Sequence, residues 1–293
     1  MVSDVAEQAE NPRTRTRRLR AMARVALPQE HGAWVMFLGP LLIGLVAGGR
    51  LTVASSYLVV AAAAGFLWRQ PVTMLAKVHG GRRPATEGPA AWRWMILYGS
   101  IAVLHVIGLV LRGHASLLYL ALPAVPVLLW HLALVSRRAE RGHVVLDVLA
   151  AGVLALSAPA GMWIGRGGAD PRGWILWLLV WAGSSSAILT TVLQLEQKRW
   201  PAVPDRAARL RAGRAALACA GGGALASLGL GLIGVISPWV SVPFLLLLAE
   251  ALRCTLRPAL GIRPRRIGMR QLLVSSVFTV LLAWAWIQPA AVS

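Results

Sequence analysis

Charged side chains are scarce in this sequence, which argues against a water-soluble globular protein. Only 14% of the 293 residues are charged, whereas 57% are hydrophobic, and the mean hydropathy is +0.64. A soluble domain covers its core with a polar surface, and this composition does not supply one. The chain is therefore predicted to fold in a lipid bilayer.

Cysteines and catalytic motifs are scarce as well. The two cysteines, Cys219 and Cys254, lie in separate apolar runs, so neither a disulfide framework nor a paired-thiol metal site is expected. The chain has no glycine-rich phosphate loop, no G-x-S-x-G turn and no H-E-x-x-H helix. No two histidines stand at metal-ligand spacing with a carboxylate as third ligand. ATP hydrolysis, serine hydrolysis and metal binding by histidine are thus not predicted.

Basic residues are abundant, and their distribution favours a membrane over a nucleic acid. There are 30 Lys and Arg residues against 11 Asp and Glu, for a formal charge of +19. They lie in short loops between apolar runs, not on one domain. The tendency of cytosolic loops of membrane proteins to be basic explains this pattern. No nucleic-acid partner is predicted, and anionic lipid headgroups are expected at the basic face.

Nine apolar segments are long enough to span a bilayer. The first, Leu27–Gly49, has no charged side chain after Ala33. The other eight are about Val53–Leu75, Trp92–Leu111, Ser116–Val135, Val144–Gly165, Gly173–Leu195, Gly213–Val235, Trp239–Leu256 and Leu272–Ile287.

The loops between these segments alternate in charge, which predicts the topology. Loops on one side carry most of the Lys and Arg residues, whereas the other side carries only Arg50, Arg112, Arg166 and Arg172. The basic side is predicted to face the cytosol, with the N-terminus inside and the C-terminus outside. The predicted fold is an all-α, multi-pass helix bundle in the plasma (inner) membrane. Residues 1–26 form a basic cytosolic tail, either disordered or lying on the membrane, and residues 27–293 form the transmembrane domain.

Polar side chains within the spans gather towards the predicted cytosolic half. A charge near the bilayer centre costs about 2.5–3.5 kcal/mol. Snorkelling to the interface explains Lys198, Arg199 and Arg253 without a function, but Arg69 and Asp147 lie deeper in their spans. Two explanations for these polar residues therefore stand side by side. They pack or snorkel without a function, or they line a polar cleft that opens to the cytosol. The residues predicted to line such a cleft are Glu30, His31, Arg69, Thr73, His131, Asp147, Gln194 and Glu196.

Four stretches resemble the YwiC-like family of bacterial membrane proteins. They are PQEHGAW at Pro28–Trp34, WRQPVTMLAKVHGGRR at Trp68–Arg83, LTTVLQLEQKR at Leu189–Arg199 and RPRRIG at Arg263–Gly268. The resemblance extends over most of the chain. It implies a membrane protein and little chemistry.

A more distant resemblance is to the UbiA-type prenyltransferase fold, which has nine spans and a cytosolic N-terminus. Arg83-Pro84 followed by Gly88 resembles its R-P-x-x-x-G motif. That fold implies two acidic clusters holding Mg²⁺ against a prenyl diphosphate. The first position here reads Arg69–Thr73 without a carboxylate, and the second retains only Gln194 and Glu196. No cofactor is therefore predicted, and Mg²⁺ is disfavoured.

Basic side chains near the first of these positions suggest another way to bind an anion. Guanidinium and ammonium groups neutralise phosphate directly. The candidate anion-binding residues are Arg69, Lys77, Arg82 and Arg83.

Three functional classes are compatible with the sequence. The favoured one binds, or also transfers, a lipid-soluble anionic molecule such as an isoprenoid or quinone-like compound; as an enzyme it would be a UbiA-type transferase with degenerate acidic motifs. The second is a carrier of lipids or small molecules, for which broken helices are expected; the candidate breaks are Pro123, Pro126, Pro159 and Pro243. The third is a non-catalytic accessory or assembly protein of a membrane complex.

Overall fold

The computed structural model describes residues 31–137 and 143–290, which contain helices and turns and no strand. Eleven α-helices lie in these ranges. They are α1 His31–Gly48, α2 Val53–His79, α3 Gly88–Leu111, α4 Leu118–Ala121, α5 Ala124–Ser136, α6 Val144–Ala155, α7 Ser157–Arg166, α8 Arg172–Gln197, α9 Arg206–Leu232, α10 Ser241–Leu256 and α11 Pro264–Trp286.

The helices correspond to the nine predicted segments, because α4 with α5 and α6 with α7 each form one interrupted span. In the described part of the chain, eight spans are long and apolar enough to cross a membrane, and α1 is a shorter apolar helix. The predicted all-α membrane helix bundle is confirmed. Its orientation and the UbiA-like arrangement stay predictions. The predicted tail, residues 1–26, lies outside the described residues.

Two of the four candidate prolines coincide with helix breaks. A turn at Leu122–Pro123 separates α4 from α5, and α6 ends at Ala155, shortly before Pro159 in α7. Proline lacks the N–H that would bond to the carbonyl four residues earlier, which explains a break at this distance. Pro126 and Pro243 lie in the first turns of α5 and α10, where the missing N–H costs nothing.

The helices form two regions that differ in packing. The inner bundle consists of α1 and α6 to α11, and the outer group consists of α2 to α5. Helix α1 packs closely on α7, and α9 on α10, whereas α2 and α3 pack mainly on each other. Half of the apolar stretch of the α6/α7 span is buried, against 11% for each of the spans Ala85–Leu111 and Ala115–Ser136.

One apolar core joins the outer group to the inner bundle along only part of α2. This core contains Phe37 of α1, Trp163 of α7 and residues of α2 up to Phe66 and Leu67. Further along α2, Met74 and Leu75 pack with Ala91 of α3 instead. The second half of α2 therefore turns its buried face to the outer group, and we call the boundary between this half and the inner bundle the seam.

Candidate functional site

Arg69 lies deep within α2, further from the helix end than the sequence indicates. The predicted span ended at Leu75, but α2 continues to His79. At about 1.5 Å per residue, Arg69 lies about 15 Å before the last residue of the helix. Measured from Leu75, where the apolar stretch ends, Arg69 lies about 9 Å inside the span.

The guanidinium of Arg69 contacts an aromatic ring where the shared core ends. Its central carbon lies 6.0 Å from the centre of the Phe66 ring, a cation–π contact at the limit of the usual range. Phe66 stacks on Phe37 at 4.7 Å and meets Trp34 edge-on at 5.4 Å. Across residues 31–137 and 143–290, no carboxylate forms an ion pair with Arg69.

Thr73 and His131 connect α2 with α5 one helical turn beyond Arg69. The hydroxyl of Thr73 donates to the Arg69 carbonyl at 2.8 Å, and its oxygen lies 3.5 Å from His131 Nε2. Because the single hydroxyl hydrogen is already used, Nε2 must carry the proton if this second contact is a hydrogen bond. Of the residues predicted to line the cleft, the structure brings these three together.

The other predicted anion-binding residues lie between Arg69 and the basic end of the bundle. Lys77 is half-buried in the last turn of α2. Arg82 donates from Nη1 to the Val135 carbonyl at 2.7 Å, which satisfies a carbonyl in the last turn of α5. Arg83 is exposed and pairs with Glu87 at 3.4 Å. Arg82 and Arg83 thus have structural partners, which distinguishes them from Arg69.

The remaining members of the predicted cleft lie on other helices. Asp147 is exposed in the first turn of α6, where the helix dipole stabilises a carboxylate. Glu196 is exposed and Gln194 buried on α8, which packs on helices of the inner bundle. His31 begins α1, and Glu30 lies outside the described residues. That all eight residues line one cleft stays a prediction.

An ion pair between α10 and α11 was missed by the sequence reasoning. Arg270 donates from Nε and Nη2 to the two carboxylate oxygens of Glu250 at 2.6 and 2.5 Å. Glu250 also accepts from the Cys254 thiol at 3.2 Å. Arg270 was assigned to a loop because the last span was predicted to begin at Leu272. The Arg-Pro step at Pro264 was the available signal, since proline favours the first turn of a helix.

The described side chains form no acidic cluster that could bind a divalent metal. Among the described residues, no group of three or more His, Cys, Asp or Glu side chains lies close enough to hold a metal ion. The prediction that no cofactor is held stays a prediction.

Comparison with known proteins agrees with the family resemblance. Residues 27–144 match the family model described as YwiC-like protein. A relative from Bacillus subtilis (strain 168), named Uncharacterized protein YwiC, is 27% identical over 191 residues, which is 60% of this chain and 70% of the relative. No solved structure matches. The predicted YwiC-like resemblance is confirmed, and the UbiA-like one stays a prediction.

Proposed function

We propose that this YwiC-like multi-pass membrane protein binds a lipid-soluble molecule with an anionic head in the seam between α2 and the inner bundle. Arg69 binds the anion. The bundle spans the plasma membrane, and its basic end faces the cytosol. The observation that carries the proposal is the position of Arg69, about 15 Å inside its helix and without a carboxylate partner in the described structure.

The energetics of a charge in a membrane support this role. An arginine in the middle of a span costs about 2.5–3.5 kcal/mol on insertion scales. A carboxylate partner would offset that cost, but none pairs with Arg69 in the part of the chain that the structure describes. A phosphate or carboxylate head would supply the missing charge and match the planar guanidinium fork.

The surroundings of Arg69 suit an amphiphilic ligand. On the side of Arg69 that faces the start of α2 lie the rings of Phe66, Phe37 and Trp34, which suit an apolar chain such as an isoprenoid. Towards the basic end lie Lys77 and Arg82, whose charges attract an anion. Because guanidinium groups neutralise the head directly, the proposed binding needs no Mg²⁺.

The proposal is tested with farnesyl monophosphate as the probe, bound to full-length protein in detergent micelles. Arg69→Gln is expected to weaken binding by about 1.5–3 kcal/mol, or roughly 10- to 150-fold in Kd, because a charge-assisted hydrogen bond is lost. Titration calorimetry with and without a chelator measures both the affinity and its metal dependence. The chelator is expected to leave the affinity unchanged.

Two matched controls separate a specific site from general basic attraction. Arg83→Gln removes the same charge from an exposed position paired with Glu87, and the affinity is expected to change less than about threefold, as for exposed charge pairs. Farnesol lacks the anion, so its binding should not distinguish wild type from Arg69→Gln. Equal affinities of wild type and Arg69→Gln for the phosphate would refute the site. Strict Mg²⁺ dependence abolished by Glu196→Gln would favour prenyl-transfer chemistry instead.

A further inference from the structure

Two buried glutamines in the inner bundle have polar atoms without hydrogen-bond partners. Gln194 of α8 is 5% exposed and Gln271 of α11 is 8% exposed. Within the described ranges, neither Nε2 of Gln194 nor Oε1 of Gln271 has a partner. A buried amide atom left unpaired costs about 1–3 kcal/mol, and a bound polar group at this position would offset that cost.

Contacts between α8 and α10 show the level of Gln194, by which we mean its position along the axis of the bundle. These two helices run in the same direction, because a single span, α9, separates them. Gln197 donates to the Cys254 carbonyl at 2.9 Å. One turn earlier on the two helices lie Gln194 and Glu250, which therefore share a level in the bundle.

Contacts between α10 and α11 place Gln271 at the same level. Arg270 forms its two hydrogen bonds with the Glu250 carboxylate, and Gln271 is the next residue in α11. Helices α8, α10 and α11 all pack against one another. Gln194 and Gln271 thus lie within about one helical turn of the Glu250–Arg270 pair, on three helices that pack together, and we call this region the junction.

A neighbouring buried glutamine, Gln197, has hydrogen-bond partners for both of its amide atoms. Gln197 is fully buried. Its Nε2 donates to the Cys254 carbonyl, and its Oε1 accepts from the Ala259 N–H at 3.2 Å. Gln194, on the same helix and one turn away, lacks such a partner for Nε2. The difference points to a ligand at Gln194.

We infer that this junction binds the hydroxyl group of a membrane-soluble alcohol or phenol. A hydroxyl both donates and accepts, so one such group satisfies the N–H of Gln194 and the carbonyl oxygen of Gln271 together. An ionised phosphate or carboxylate only accepts and would leave Gln271 unpaired. The nearby charges of Glu250 and Arg270 already neutralise each other. The site lies on other helices than Arg69 and does not depend on the proposed function.

A small cavity lies between α1, α8, α10 and α11, one turn from Gln271 and two turns from Gln194, and neither glutamine lines it. Ser275, one turn after Gln271, lines it together with Thr279, Ile43 and Leu247. Its volume is about 20 Å³, enough for one water-sized group. Its walls are mostly apolar, so it suits a single methylene group better than a charged head.

The test uses 4-nonylphenol and its methyl ether, 4-nonylanisole, as probes of full-length protein in detergent micelles. We expect saturable binding of the phenol that weakens at least tenfold in Gln194→Leu and in Gln271→Leu. The methyl ether, which cannot donate, should bind wild type at least tenfold more weakly than the phenol. The Tm of each variant should equal or exceed that of wild type, since each replacement removes an unpaired buried group.

Gln197→Leu is the matched control, because it removes a buried glutamine of the same helix whose amide is fully bonded. Its Tm should fall, while its affinity for the phenol stays within about twofold of wild type. Gly65→Ala in α2, where an added methyl meets no neighbouring helix, gives a second control with unaltered affinity, should Gln197→Leu fail to fold. The inference is overturned if wild type, Gln194→Leu and Gln271→Leu bind the phenol equally, or if the phenol only partitions into micelles without saturation.

Discussion

The inner bundle and the outer group use glycine in different ways. Where α1 crosses α7 in the inner bundle, glycines let two backbones touch: a Cβ at Gly44 would lie 2.3 Å from the Ala158 carbonyl oxygen, and one at Gly165 would lie 2.6 Å from Gly48 Cα. Other glycines of the inner bundle face side chains, and in the outer group Gly108 likewise faces the ring of Tyr57. Close backbone contact is the main source of helix association in lipid.

This difference indicates where the protein is rigid and where its packing can adapt. Helices locked through backbone contacts cannot separate without losing them together, whereas side chains can rotate. The outer group is held to the inner bundle by the core that ends at Phe66 and Leu67, and Arg69 follows within one turn. The candidate anion site therefore lies at the seam between a rigid region and an adaptable one.

The largest effect is expected where the inner bundle is tightest. Gly44→Ala should lower the free energy of unfolding by about 3 kcal/mol or more, at the upper end of overpacking costs. The added methyl would collide with backbone atoms of Ala158, which cannot move without shifting α7. Reversible unfolding in mixed micelles measures the loss. Gly65→Ala is the control, because no atom beyond the adjoining backbone of its own helix lies within 4 Å of its Cβ position, and it should gain about 0.5–1 kcal/mol.

A somewhat smaller effect is expected from the ion pair that joins α10 and α11, and it should be asymmetric. Arg270→Met leaves a carboxylate that is only 7% exposed, and should cost about 3 kcal/mol. Glu250→Gln leaves a guanidinium that is 37% exposed and can reach water, so about 1 kcal/mol is expected. The same unfolding assay measures both variants. Equal losses would show that the two groups are equally desolvated.

The number of spans could be predicted from the sequence, but several of their ends could not. Apolar length identifies the part of a helix that lipid surrounds, and helices continue beyond it. Helix α9 begins at Arg206, before the predicted Gly213, because Asp205 caps it by accepting from the Ala208 N–H at 2.7 Å. Helix α11 begins at Pro264, before the predicted Leu272, so Arg270 lies in the helix and not in a loop. For this reason its ion pair with Glu250 was not predicted.

The candidate site was predictable residue by residue, but its grouping was not. Arg69 stood out because a charge in a span is rare. Its proximity to Thr73 and His131 depends on α2 and α5 being neighbours, and hydropathy carries no information about which spans touch. Gln194 was assigned to the same cleft for its depth alone, and the structure places it at the junction of α8, α10 and α11.

The smallest effect is expected from Gly108→Ala in the outer group, although the collision distance is no longer than at Gly44. The new Cβ would lie 2.2 Å from Tyr57 Cε1, at the far end of a side chain that can rotate. Moving the ring weakens its contact with Arg112, now 5.1 Å away and worth about 0.5–1 kcal/mol. Replacing glycine in a helix returns about 0.5–1 kcal/mol, so the net change should stay within about 1 kcal/mol.

In a Tyr57→Leu background, Gly108→Ala should become neutral or stabilising, since the obstructing ring is gone. A loss as large as that of Gly44→Ala would show that α2 and α3 are locked as firmly as the inner bundle.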